Sequence, residues 1–312
     1  MGFAATTDAF TSGVAYIDGG YRPVAEANIS ILDWGFNRSD VTYDVVHVVD
    51  GAFFRLNDHI ERFLDGLGKL RLDPGLSRGE IVTVLHGCVA LSGLRDSYVE
   101  MLCTRGKPPP HVRDLRLTDH RFIAYAIPYV SISGERPPGE GLHASVASTV
   151  ERIRPEAVDP TVKNFHWGDL VRGMFEAYDR GAETVILTDG LGKVTEGPGF
   201  NVFAVVNGLV RTPQHGVLLG ITRRTVLEIC QTLAIPFEEG PLEVDALTEA
   251  DEIFVTSTAG GVMPVTTLDG EPVGVGQQGA FTERIRRAYW DWHLDPHLSE
   301  LVDYDRPPPP MH

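Results

Sequence analysis

The spacing of apolar residues changes period several times along the chain. Tyr16-Ile17-Asp18-Gly19-Gly20-Tyr21 reads as a strand, a tight turn and a returning strand. Val41 to Val49 is rich in β-branched residues, and Asp50-Gly51 turns it into Phe53-Phe54-Arg55-Leu56, the pattern of a hairpin. Ile60, Phe63, Leu64, Leu67 and Leu70 then recur at helical spacing behind a cap expected at Asn57 or Asp58. Ser77 with Glu80 has the form of a capping box ahead of a helix over Ile81 to Leu91. Tyr98 to Cys103 and Arg121 to Ile127 alternate as strands do. The polar, Gly/Pro-rich stretch from Ser133 to Gly139 reads as a linker, because such segments seldom hold a core. Beyond it the pattern predicts strands at Ala144–Val150, Thr184–Thr188, Asn201–Val206 and Glu252–Thr256. Helices are predicted near Trp167–Arg180, Thr222–Leu233 and Phe281–His293. No internal repeat is present. Strands and helices mix without strict βαβ alternation, so the expected class is α+β (mixed α/β). A small N-terminal domain is expected over 1–140 and a larger one over 141–312. The proline run at Pro307–Pro310 places a disordered tail from about residue 303.

Composition narrows the function classes. The chain has 312 residues, 43% of them hydrophobic, enough for two cored domains. A net charge of -16, with no basic cluster longer than Arg223-Arg224 or Arg286-Arg287, argues against nucleic acid as a partner. No apolar run approaches the ~18 residues of a membrane span, and no basic-then-apolar start suggests secretion. Met1-Gly2 with Thr6 meets a loose acylation pattern, for which an unstructured start is the simpler reading. Three cysteines without CxxC spacing read as reduced core residues of a cytoplasmic protein.

Lysine is scarce: Lys69, Lys107, Lys163 and Lys193 are the only four. The first lies on an amphipathic helix, the second before three prolines and the last in a turn. Lys163 sits apart, between Asp159-Pro160-Thr161-Val162 and Asn164-Phe165-His166-Trp167, in polar and aromatic company ahead of a helix. A lysine that attacks a carbonyl needs desolvation to free its amine. Thr195-Glu196-Gly197-Pro198-Gly199-Phe200-Asn201 places a carboxylate at a glycine-rich bend before a strand. Gly220-Ile221-Thr222-Arg223 opens a helix whose N–H groups and hydroxyl suit a phosphate. Thr256-Ser257-Thr258-Ala259-Gly260-Gly261 runs a strand into a turn that can add donors. Each piece alone reads as an ordinary turn or surface residue. No Gly-x-Ser-x-Gly elbow and no His-Glu-x-x-His motif points to a hydrolase or a metal site.

Taken together, the run from Glu196 to Arg223 resembles the signature of fold-type IV pyridoxal-phosphate (PLP) enzymes. That group includes branched-chain and D-amino-acid aminotransferases, aminodeoxychorismate lyase and (R)-selective amine transaminases. The resemblance extends from Tyr16 to about Trp292. It is strongest to the (R)-amine transaminases at Asp159 to Asn164, His166 to Ala177 and Thr258 to Pro264. It implies a two-domain, D-amino-acid-aminotransferase-like fold whose larger domain carries a pseudo-barrel, a homodimer, and PLP lying between the domains. It further implies that Lys163 carries the cofactor as an internal aldimine in a ping-pong cycle, and that Glu196 pairs with the pyridine nitrogen. Arg62, Gly220, Ile221, Thr222 and Thr258 would hold the phosphate. Arg38, Tyr43, Tyr98, Glu100, Trp167 and Ala259 would line the substrate site. Glu100 stands where the branched-chain enzymes carry a carboxylate-binding arginine, which favours an amine without a carboxyl group. The resemblance therefore implies transfer from an (R)-primary amine or D-amino acid to a 2-keto acid such as pyruvate. The alternatives are a branched-chain L-amino-acid aminotransferase and a lyase of the aminodeoxychorismate type. Two places depart from the amine-transaminase pattern. Arg38 replaces a histidine, and the loop Arg105 to Arg116 differs, leaving Arg113 or Arg116 to bind the keto-acid carboxylate. Arg38 is expected to pair with Glu100 until a substrate carboxylate arrives.

Overall fold

The computed structural model describes residues 10–137 and 139–306, so the acylation pattern at Met1-Gly2 and the proline run lie outside the described residues. Two compact units emerge. One takes Met1–Val130, Val162–Phe165 and Asp295–His312, and the other Ser131–Thr161 and His166–Leu294. The first unit thus ends ten residues before the expected boundary at 140, and it takes back two later pieces of chain.

In the first unit the chain runs β1 (Val14–Ile17), β2 (Gly20–Pro23), α1 (Trp34–Arg38), β3 (Val41–Val49), β4 (Ala52–Phe54), α2 (Leu56–Leu70), α3 (Arg78–Ser92), β5 (Ser97–Lys107) and β6 (Asp119–Pro128). Among the described residues these strands form one antiparallel sheet, with a C-terminal strand, Ser299–Leu301, paired to the edge of β4. Ile60, Phe63 and Leu67 of α2, with Ile81, Val84, Leu85, Cys88 and Val89 of α3, are buried with the strand residues Val46, Val48, Val99 and Met101 in one apolar cluster. Each large aliphatic or aromatic side chain so buried stabilises the unit by about 1.5–3 kcal/mol. The capping box forms as expected, Ser77 Oγ accepting from Glu80 N and Glu80 Oε2 from Ser77 N at 2.7 Å.

The start of α2 differs from expectation. Its cap is Arg55, at φ 54°, with no side-chain cap, rather than Asn57 or Asp58. Arg55 is fixed there by an ion pair to Asp58 at 3.1 Å and by its own N–H donating to Leu298 O at 2.7 Å. Tertiary pairing with the chain's end has displaced the local cap. The same segment corrects the expected tail. Residues 303–306 are placed, Val302 is buried, and Tyr304 donates to Leu94 O at 2.7 Å.

The second unit runs β7 (Leu142–Glu151), α4 (Gly168–Asp179), β8 (Thr184–Thr188), β9 (Glu196–Gly197), β10 (Phe200–Val206), β11 (Leu209–Thr212), α5 (Ile221–Thr232), β12 (Phe237–Glu239), α6 (Val244–Thr248), β13 (Glu252–Ser257), β14 (Gly261–Leu268), β15 (Glu271–Pro272) and α7 (Ala280–Asp291). Its sheet orders β12-β11-β10-β13-β14-β7-β8, with β7 parallel to both β14 and β8. The sequence predicted no strand after Gly261, where Pro264 argues against a central strand. The proline is accommodated opposite Phe254 in the β13–β14 ladder. The three cysteines are free and buried. No helix among the described residues is long and apolar enough to cross a membrane.

Candidate active site

In the first unit Lys163 arrives on a visiting segment. Val162–Phe165 lies beside β3: Tyr43 N and Thr42 Oγ1 both donate to Lys163 O, at 3.1 and 2.9 Å, and Thr42 bridges Asn164. Two hydrogen bonds on one carbonyl fix the backbone from which the side chain springs. Lys163 Nζ lies 4.5 Å from the centroid of the Tyr43 ring, which packs on Phe165 at 4.8 Å. Glu100, on the neighbouring strand β5, is buried and accepts from Tyr98 Oη at 3.2 Å and from Tyr125. Burial pushes its carboxyl above the ordinary value, against the opposing pulls of Tyr125, Lys163 and Tyr98. Tyr125 and Phe165 also line an apolar cavity of about 480 Å³, with Ile17, Phe36, Leu102 and Ile123.

Arg62 projects from α2 toward a carboxylate inside the sheet. Asp44 has no exposed surface, and Arg62 clasps it through Nε at 2.7 Å and Nη2 at 2.9 Å. His59 Nδ1 lies 2.8 Å from the same carboxylate, and Val45 N donates to it at 2.8 Å. Burial alone would raise the Asp44 pKa. Arg62 and His59 outweigh it and hold the carboxyl far below the ordinary range. The guanidinium expected at the phosphate is therefore rigidly oriented by residues the sequence reading passed over.

The expected pairing of Arg38 with Glu100 does not form. Arg38 is exposed at the end of α1, its guanidinium 3.9 Å over the Trp34 ring, while the tyrosine hydroxyls occupy Glu100. The five-residue α1 ends at Ser39, φ 56°, which leaves Arg38 facing solvent. In the departing loop Arg116 is tied to Asp114 at 2.6 Å with its side chain 87% exposed, and Arg113 is exposed. Arg105 is committed elsewhere, forking on Asp40 at 3.0 Å through both Nε and Nη2.

The second unit supplies a different set. Glu196, on β9, is buried. Its Oε1 accepts from Arg152 Nε at 3.0 Å, and its Oε2 from Leu218 N at 2.9 Å. Trp167 packs against the apolar cluster beneath α4, with its ring end 3.8 Å from where a Cβ on Gly199 would stand. The α5 N-terminus is buried at Ile221, Thr222 and Arg223, yet its cap Gly220 offers no side chain. The amides of a first turn have no intrahelical acceptor, so a buried, uncapped start calls for an outside anion. Thr256 Oγ1, 2% exposed and unpartnered, lies on the strand position opposite Asn201, whose amide sits against Gly220. Unspent amides and a hydroxyl gathered at one helix start fit a phosphate group. Thr258 and Ala259 follow in the turn after β13, where Ala259 N donates to Ser257 Oγ at 3.2 Å. Arg223, which matched the signature, instead braces α5, donating to Pro213 O at 2.9 Å and Glu239 at 2.8 Å.

Gly220 tests this cradle directly. A Cβ there would stand 2.2 Å from Asn201 Oδ1, and Asn201 cannot swing away without losing its 2.7 Å bond to Leu218 O. We expect Gly220→Ala to weaken cofactor phosphate binding by about 1–3 kcal/mol, roughly tenfold or more in Kd, with the fold retained. Fluorescence titration of the apoprotein checks it.

Comparison with known proteins bears on the family. A model of amino-transferase class IV matches residues 42–268. The chain is 30% identical over 268 residues to a D-alanine aminotransferase of Bacillus licheniformis, covering 85% of this chain and 91% of that one. It is 31% identical over 283 residues to a Methanocaldococcus jannaschii protein whose name assigns it provisionally to the branched-chain-amino-acid aminotransferases, covering 88% and 95%. Among solved structures, the branched-chain aminotransferase of the thermophilic archaeon Thermoproteus uzoniensis with norvaline superposes with a TM-score of 0.84 at 27% identity, over 93% of this chain and 99% of that one.

Proposed function

This chain belongs to the class IV aminotransferases, which are PLP-dependent enzymes, and from that premise we propose that it moves the amino group of an (R)-primary amine or D-amino acid to a 2-keto acid such as pyruvate. The observation that carries the reading is Glu100. It is a buried carboxyl held by two tyrosine hydroxyls, at the position where resemblance to the branched-chain enzymes expects an arginine. A substrate carboxylate brought against it meets a buried acid rather than a cation, which selects against an L-amino acid bound in the branched-chain manner. The apolar cavity bordering Tyr125 suits an aryl or alkyl group. The similarity to a D-alanine aminotransferase supports the D-amino-acid half of the reading.

Bound PLP supplies an electron-withdrawing ring that acidifies the amine's Cα–H bond and takes up the amino group. The chain's residues do the rest. Lys163 holds the cofactor and then moves the proton between substrate carbon and cofactor carbon through Nζ. Glu196 holds the proton on the ring nitrogen. Arg62, Gly220, Ile221, Thr222 and Thr258 bind the phosphate, and Tyr43, Tyr98, Trp167 and Ala259 shape the substrate's surroundings. Arg38, exposed and stacked on Trp34, is poised to take the carboxylate of a D-amino acid or keto acid. Arg113 and Arg116 lie in an exposed loop that a homodimeric partner would share.

A branched-chain L-amino-acid reading is favoured by the structural neighbours and has a direct competitor assay. Turnover of D-alanine, D-glutamate, (R)-1-phenylethylamine and L-leucine is measured with pyruvate and with 2-oxoglutarate. We expect the D- and (R)-donors to exceed L-leucine by at least about tenfold. L-Leucine as the best donor would overturn the assignment. Arg38→Ala should lower kcat/KM for D-alanine by about 10–100-fold, the value of a charge-assisted contact, while (R)-1-phenylethylamine changes little. Equal losses on both would remove Arg38 from carboxylate binding.

A further inference from the structure

The Glu196 carboxylate does not stand alone. Arg152, 9% exposed on the bend after β7, reaches it with Nε at 3.0 Å and spends Nη1 on Asp169 Oδ2 at 2.6 Å. Asp169 lies in the first turn of α4 and is itself tethered, its Oδ2 accepting from Ile153 N at 2.7 Å and its Oδ1 from Leu170 N at 2.9 Å. The Arg152 backbone is anchored as well, its N–H donating to Thr188 O at 2.8 Å. A guanidinium held between two carboxylates, each fixed by main-chain donors, has little freedom to leave.

We infer that Arg152, held by Asp169, is a positioning residue that keeps Glu196 anionic and aimed, and so keeps the ring nitrogen of the cofactor protonated across the working pH range. The inference deepens the proposed function, since it rests on Glu196 being the partner of that nitrogen. A glutamate this buried and without a cation would have its pKa driven up by desolvation until it took a proton of its own near neutrality. It could then no longer stabilise a positive ring nitrogen. Arg152 blocks that route. Burial works against its charge, but Glu196 and Asp169 outweigh the penalty and raise its pKa. The carboxylates that Arg152 bonds are these two, while Arg154, Asp189, Lys193 and His215 line a pocket with it. Two fixed contacts also set the orientation. With Oε1 on Arg152 and Oε2 on Leu218 N, the carboxylate plane is defined before any cofactor binds.

The ring nitrogen itself is the readout. Holoenzyme is prepared with 15N-labelled pyridoxal 5'-phosphate, and the 15N resonance is followed from pH 6 to 9 in wild type, Arg152→Gln, Arg152→Lys, Asp169→Asn and Glu196→Gln. Wild type should show a protonated nitrogen that does not titrate. Arg152→Gln should show a resonance that moves toward the neutral value as pH rises within that window, with kcat falling by about 10–100-fold and KM changing little. Arg152→Lys, which restores the cation, should return most of the protonated signal. Asp169→Asn should give a smaller displacement of the same sign, and it reports on the arrangement even where Arg152→Gln folds poorly. A flat, protonated resonance in both Arg152→Gln and Asp169→Asn would overturn the inference and leave Arg152 as a structural tie. The failure of the underlying reading looks different: Glu196→Gln would then leave the nitrogen protonated, whatever Arg152 does.

Discussion

Lys163→Ala should lower transamination by at least about a thousandfold, the scale of losing a positioned proton carrier together with the covalent holding group. The visible absorption of the holoenzyme should be lost with it. Borohydride treatment of wild type should fix cofactor mass on the peptide containing Lys163, and the same treatment of the variant should fix none. The argument starts from the backbone. Thr42 Oγ1 and Tyr43 N both hold Lys163 O, so the side chain leaves from a defined point and lies 4.5 Å from the Tyr43 ring centroid. Lys163→Arg keeps the charge, which preserves the Coulomb pull on Glu100, but a guanidinium cannot take the amine's part. The two variants should therefore fail alike. A protein with arginine at 163 and a tenth of wild-type turnover would end the assignment.

The second large effect concerns Asp44. Asp44→Asn should destabilise the first unit by about 3–5 kcal/mol, because the change removes the carboxylate charge facing the half-buried Arg62 and puts an NH2 donor where one carboxylate oxygen accepted. It should also weaken cofactor binding, since Arg62 loses the two-oxygen clasp, at 2.7 and 2.9 Å, that sets its direction and keeps at most one acceptor at this position. The pH dependence has a definite sign. The Asp44 pKa is lower in the folded protein than in the unfolded chain, so its stabilisation is fully present above the unfolded value near 4. It is lost as pH falls below that value toward the folded pKa. Denaturant melts of wild type should thus lose stability on acidification over that range, and melts of Asp44→Asn should show a shallower loss. Identical slopes, or a midpoint shift under about 0.5 kcal/mol, would show that Arg62 is held by other means.

Much of this arrangement was legible in the sequence, for identifiable reasons. The strands at Val41–Val49 and Thr184–Thr188 fall where β-branched runs place them, and the capping box at Ser77 and Glu80 forms in full. These are local signals, and local physics suffices. The cap of α2 went to Arg55 because Leu298, far along the chain, holds its N–H. No local rule anticipates such a partner. Asp44 left a trace that was readable but unread: an acid inside Val-Thr-Tyr-Asp-Val-Val is a charge in a buried run, which demands a partner. His59 and Arg62, one helical turn apart, were candidates to supply it. Arg152 left no trace at all. It meets Glu196 only through the packing of β9 against β8 and the bend after β7, so its role waits on the tertiary structure. Arg38 went the other way. Opposite charges at 38 and 100 suggested a pair, but two tyrosine hydroxyls satisfy Glu100 where it lies.

The strand Ser299–Leu301 pairs with Ala52–Phe54, Leu298 O accepts from Arg55 N, and Val302 N donates to Gly51 O. The sheet that begins at Val14 is therefore finished by residues synthesised after the whole of the second unit. During synthesis the edge of β4 stays open until Ser299–Leu301 has been made, so nascent chains halted in the second unit carry a sticky border on the first. A fragment stopped at Val130 would inherit the same border for good.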